Sequence, residues 1–104
     1  MPERTPRLTH QTLKVLRLFA SQPREQMAGA DIARMTKLGS GTLYPILDRF
    51  EKAGWLTSRW ESMEPSSLGR PRRRLYQITG VGQQHVIAAL SELGVPAGGA
   101  AWAI

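Results

Sequence analysis

Apolar residues recur at helical spacing in four stretches of the chain, and two short segments rich in aromatic and β-branched residues lie between the third and the fourth. Leu13, Leu16, Phe19 and Ala20 recur at steps of three and four. They predict an amphipathic helix from Thr9 to about Ser21, with Thr9 as N-cap and Lys14 and Arg17 elsewhere on its surface. Pro23 ends it, and residues 22–26 read as loop. A short helix from about Gly29 to Thr36 carries Ile32 and Met35. After the tight turn Lys37-Leu38-Gly39, Ser40 is the expected N-cap of a third helix to Ala53, with Leu43, Ile46, Leu47 and Phe50 on one face and Gly54 as its stop.

Trp55 to Glu61 and Arg73 to Ile78 read as two antiparallel strands, joined by a loop, Ser62 to Arg72, with two prolines, a glycine and three serines. Thr79 caps a last expected helix to about Leu93, striped by Val86, Leu90 and Leu93, before Gly94 and Pro96 end it. The second and third helices, three residues apart with glycine in the turn, match a helix-turn-helix. The fold expected is mainly α with a small β-hairpin: a winged helix-turn-helix over residues 1–79, one C-terminal helix over 80–94, and a mobile tail over 95–104.

A chain of 104 residues supports one hydrophobic core, so any function sits on one compact domain or between copies of it. It has no cysteine, which removes disulfides, thiolate nucleophiles and sulfur-ligated metals. The polar, proline-bearing start has no apolar run of the kind a signal peptide needs, so a cytoplasmic location is expected. His10 and His85, the only histidines, are not in a metal-ligand spacing; no glycine-rich phosphate loop follows a strand, and no carboxylate pair marks a pocket. Catalysis, a cofactor and a metal site are therefore not expected.

Charge narrows the partner. Fourteen Lys and Arg against eight Asp and Glu give +6, and the segment from Arg34 to Arg74 holds nine of the basic residues against four acidic ones. An anionic partner fits this concentration, although a solvated basic face with no partner has the same composition.

The run Ser40-Gly41-Thr42-Leu43-Tyr44-Pro45-Ile46-Leu47-Asp48-Arg49-Phe50-Glu51-Lys52-Ala53-Gly54-Trp55-Leu56 strongly resembles the recognition helix of PadR-family regulators. So does Gly69-Arg70-Pro71-Arg72-Arg73-Arg74-Leu75-Tyr76-Gln77-Ile78-Thr79, which has the character of that family's arginine-rich wing and second strand. Such a resemblance implies a DNA-binding transcriptional regulator, a repressor of nearby genes acting as a homodimer, and it admits a small aromatic or hydrophobic effector. The alternative is a winged helix that contacts proteins without reading DNA. Gly80, where the family has a polar or acidic residue, is expected to weaken the start of the last helix, at about 1 kcal/mol relative to alanine. Phe50 in place of leucine and the tail after Gly94 are further departures.

On the third helix the core set leaves Gly41, Thr42, Tyr44, Pro45, Asp48, Arg49 and Lys52 outward. The expected DNA contacts are Lys37, Ser40, Gly41, Thr42, Tyr44, Pro45 and Arg49, with Arg70, Arg72 and Arg73 from the wing. Ser40 and Thr42 suit phosphates or base edges, Tyr44 suits a phosphate, and Gly41 permits close backbone approach. Ser40 serving only as a cap, and Tyr44 only packing on the wing, are the alternatives. Pro45 removes a helical hydrogen bond to Gly41, a locally unfavourable choice of the kind found at working sites. Wing arginines suit phosphates or a narrow minor groove. Arg59 and Arg74, on the strands, are candidates to pair with Glu61. Leu13, Val86, Leu90 and Leu93 have ordinary core spacing; the resemblance makes them the expected dimer interface. Trp102 lies in the tail and receives no role.

Overall fold

In the computed structural model, which describes residues 8–62, 64, 67 and 69–92, the elements run α1 (His10–Ser21), β1 (Met27–Ala28), α2 (Gly29–Thr36), α3 (Ser40–Lys52), β2 (Leu56–Trp60), β3 (Arg74–Ile78) and α4 (Gly80–Glu92). This is a winged helix-turn-helix with one helix appended.

Thr9 caps α1 as expected. Its hydroxyl accepts from the Thr12 N–H, and the Thr12 side chain accepts in return from the Thr9 N–H, a capping box made of two threonines. The buried face of α1 is Thr12, Val15, Leu16 and Phe19, while Leu13 and Ala20 are only half-buried. In α2 the buried partner of Ile32 is Thr36 rather than Met35; the Thr36 hydroxyl donates to the Ile32 carbonyl at 2.7 Å, which satisfies it inside the core. The core face of α3 is the expected one, Leu43, Ile46, Leu47 and Phe50. Gly54, at φ +82°, turns the chain out of the helix so that Trp55 is buried on Phe50, with ring centroids 5.4 Å apart.

The sheet has three strands, not the two of the expected hairpin. Its order is β1-β3-β2, all antiparallel, with Met27 opposite Tyr76 and Ala28 opposite Leu75 on one side of β3, and Leu56 opposite Ile78 through Trp60 opposite Arg74 on the other. β1 is two residues long, too short for any periodicity, and is recruited by the free edge of β3.

Thr79 sits at the junction of β3 and α4. Its hydroxyl donates to the Gly54 carbonyl at 2.7 Å and accepts from the Gly82 N–H at 3.0 Å. This cap lets α4 begin at Gly80 despite the glycine's poor propensity. α4 packs against α1 and lies across Trp55, whose ring stacks on His85 at 4.4 Å. A Cβ on Gly82 would run into the Trp55 carbonyl oxygen and the Ile78 side chain, so only glycine permits this approach. No described helix is long and apolar enough to cross a membrane.

Candidate nucleic-acid interface

The turn between α2 and α3 is made by Lys37, which takes the left-handed conformation at φ 63° as C-cap of α2. Gly39, not Ser40, is the N-cap of α3, and no side chain caps that end. Ser40 is thus the first helical residue, and its hydroxyl is not engaged as a cap. The exposed start Ser40-Gly41-Thr42 presents the N–H groups of its first two residues, of the kind that bind phosphate oxygens, while the Thr42 N–H donates to the Gly39 carbonyl at 3.0 Å. Pro45 is accommodated within a continuous α3.

Tyr44 is 43% exposed on the outer side of α3. Its ring lies over Gly29, where a Cβ would come within 2.5 Å of the hydroxyl oxygen and 2.8 Å of the ring. The first residue of α2 therefore fixes where the tyrosine can stand. Next to it a cleft of about 420 Å³ is lined by Tyr44 from α3, by Ala28, Gly29 and Ala30, and by Trp60, Arg72, Arg73, Arg74 and Tyr76 from the wing and its strands. On the other flank of α3, a cleft of about 290 Å³ joins Gly41, Thr42, Pro45 and Arg49 to Thr9 and Gln11 at the start of α1. The expected residues of α3 are thus brought together between two grooves, one of which runs onto the wing.

Within the wing the charges are distributed by three carboxylates. Glu61 takes both terminal nitrogens of Arg70, at 2.6 and 3.1 Å, and the backbone N–H of Arg73 at 2.8 Å. The Arg70 hydrogen bond, then that from Arg73, holds the Glu61 carboxyl at about 2, well below its ordinary 4.5, and the same pairing raises Arg70 above its usual value. Arg72 pairs with Glu64 at 3.0 Å. Arg74 lies over the Trp60 ring, 5.2 Å from its centroid, donates to the Ser58 hydroxyl at 3.0 Å and stands 3.8 Å from Glu51 of α3, which also accepts from Ser58. Arg59 donates to the Gln26 side chain at 2.9 Å. The partner of Glu61 is therefore Arg70, not Arg59 or Arg74: a guanidinium returning from the far side of the loop reaches the carboxylate, and the strand arginines are held elsewhere.

Helix α4 corrects the expected dimer stripe at two positions, Val86 and Leu90. Val86 and Leu90 are 0% and 1% exposed within one protomer, covered by their own chain, and Leu13 is half-buried against the same core. Leu93 and Trp102 lie outside the described residues. The exposed residues of α4 include Val81, at 52%, and Ile87, at 47%, with Gln84, His85, Ala88, Ser91 and Glu92. That helix contains no lysine or arginine.

The sequence gives no sign of the roles of Gly29, Trp60 and Gly82, and it points Glu61 to the wrong arginines. Of these, Glu61 carries the readable signal, an acid at the foot of an arginine-rich loop that holds one other, Glu64. Among the described residues no group of three or more His, Asp or Glu is arranged to hold a metal ion.

The model of the PadR-like family of transcriptional regulators matches residues 25–88, from just before β1 into α4. No curated protein matches the chain. Among solved structures, smu.1704 from Streptococcus mutans UA159 is 31% identical at a TM-score of 0.63, over 81% of this chain and 79% of that one. A PadR family transcriptional regulator from Eggerthella lenta DSM 2243 is similar in fold, at 23% identity and a TM-score of 0.65 over 82% and 76% of the two chains. So is a PadR family transcription regulator from Clostridium difficile R20291, at 23% identity and 0.63 over 79% and 86%.

Proposed function

The chain belongs to the PadR-like family, whose members are transcriptional regulators and not enzymes, and on that premise we propose that it reads a specific double-stranded DNA sequence as a homodimer and represses the gene beside it. The observation that carries this reading is the cleft joining Tyr44 of α3 to Arg72 and Arg73 of the wing. One continuous surface combines a helix of major-groove dimensions with cations suited to the flanking backbone. Ser40, Gly41 and Thr42 at the start of α3 meet base edges or phosphates, Tyr44 and Lys37 meet phosphate, and Arg49 and Pro45 line the second groove. Arg72 and Arg73 track the backbone beside the minor groove.

Two copies place two such helices on successive turns of one DNA face, the geometry that a twofold dimer requires. The outer face of α4, free of Lys, Arg, Asp and Glu from Val81 to Ser91, suits that contact, because copies of that stretch meet without like-charge repulsion in a chain that is otherwise strongly basic. A dimer seated on promoter DNA excludes polymerase, which is repression in its simplest form.

Binding to a fluorescent duplex from the protein's own upstream region, against a scrambled duplex and across a salt series, tests the reading. Preference for the upstream duplex, two chains per duplex, and loss of the preference in the Thr42→Ala/Tyr44→Ala variant are expected. Equal, weak binding to both duplexes would leave a basic winged module and favour a protein partner.

A further inference from the structure

Glu61 is an acid placed where a DNA-binding wing would be expected to avoid one. By charge alone it opposes the duplex, since a carboxylate near phosphates repels them. Its geometry points the other way. Both carboxylate oxygens are engaged by Arg70, one of them also by the Arg73 N–H, and the Glu61 side chain is only 19% exposed. The backbone adds a further bond, Glu61 N–H to the Arg73 carbonyl at 3.0 Å, one residue beyond the last paired residues of β2 and β3. Where an ordinary antiparallel pair would return the bond from the Arg73 N–H to the Glu61 carbonyl, the Glu61 side chain takes it instead. Arg70 also donates to the Pro71 carbonyl at 3.1 Å, and Gly69, at φ +70°, supplies the reversal just before it. Three of the five donors of the Arg70 fork are spent inside the protein.

We propose that Glu61 is a positioning residue which clasps Arg70 and the Arg73 backbone, so that Arg70 shapes the base of the wing instead of contacting DNA, while Arg73 and Arg72, whose pairing acid Glu64 is 72% exposed and can be exchanged for a phosphate, are presented to the duplex. The effect on affinity rests on the DNA-binding reading; the clasp itself does not. A loop tied at its base loses less freedom when it binds, so the clasp favours binding through preorganisation despite its negative charge.

The full chain is titrated with the upstream duplex across a salt series as wild type, Glu61→Gln, Arg70→Gln, the double variant and Arg72→Gln. Glu61→Gln weakens binding by about threefold or more, although it adds a net positive charge. Arg70→Gln weakens it comparably with the slope of log K against log salt unchanged, and the double variant is no weaker than either single one. Arg72→Gln, in contrast, lowers that slope by about 0.9 for each phosphate it no longer neutralises. Tighter binding by Glu61→Gln, or a slope reduced by Arg70→Gln as much as by Arg72→Gln, would overturn the proposal.

A DNA-free readout separates the two claims: the Glu61 carboxyl, followed by NMR, titrates near 2 in wild type and returns toward 4.5 in Arg70→Gln. Because the folded value is depressed, the stabilisation from the clasp is complete above about 4.5 and fades as pH falls from there, while the folded carboxylate stays ionised until pH approaches 2. A wild-type Glu61 titrating near 4.5 overturns the clasp even if DNA binding is confirmed. If wild type shows no preference between duplexes, the DNA reading fails and this titration alone decides the clasp.

Discussion

Helices α3 and α4 are both 13 residues long and each buries one face in the same core, yet their outer faces have opposite chemistry. That of α3 carries hydroxyls, a tyrosine, Arg49, and Lys52 paired with Asp48 at 2.9 Å, and is flanked by two grooves. That of α4 is uncharged until Glu92 and exposes Val81 and Ile87. A buried stripe tells only which side faces inward; what the other side carries tells which partner it suits. On the function proposed above, α3 suits a polyanionic partner and α4 a second uncharged surface.

The division can be broken most forcefully from inside. Leu90→Ala removes a fully buried side chain between α4 and the rest of the core, and is expected to cost about 3 kcal/mol of unfolding free energy. Denaturant titration should find this loss at every protein concentration. A loss that shrinks on dilution would return Leu90 to a dimer interface. Gly82→Ala drives a methyl into the Trp55 carbonyl and Ile78, where backbone cannot yield cheaply, and is expected to cost about 2 kcal/mol in the same assay. An unchanged midpoint would mean that α4 sits farther from Trp55.

Outer-face changes should separate the functions. Val81→Glu with Ile87→Glu places like charges on both copies and is expected to weaken self-association about tenfold or more, read by sedimentation equilibrium, with secondary structure retained. Unaltered association would place the dimer contact elsewhere. The smallest effect is Gly29→Ala. The added methyl displaces the end of the Tyr44 side chain, which can move, so stability should stay within about 0.5 kcal/mol while affinity for the upstream duplex falls roughly threefold. Wild-type affinity in this variant would remove Tyr44 from the interface.

Much of α3 was legible because its signal is local: a four-residue apolar stripe, a glycine stop and an outward set follow from one periodicity. The cap was misassigned to Ser40 because Gly39 and Ser40 are both acceptable N-caps, and backbone angles choose between them. In α4 the stripe Val86 and Leu90 has ordinary core spacing, and only the resemblance points it to a partner. Val86 and Leu90 join the core that earlier elements build, with α1 packed against α4. β1 escaped notice because two residues have no period, and the Glu61–Arg70 pair because its members lie nine residues apart across a loop. Gly29 and Gly82 matter through backbone proximity to Tyr44 and Trp55, which only the folded chain displays.

The most direct test of the account is hydrogen exchange of the free protein against its complex with the upstream duplex, at matched concentrations well above the self-association constant. New protection on binding is predicted at the start of α3, from Ser40 to Tyr44, and around Arg72 and Arg73, with α4 unchanged because its partner is already present. Protection gained along α4 while α3 exchanges as before would contradict the assignment of the two outer faces.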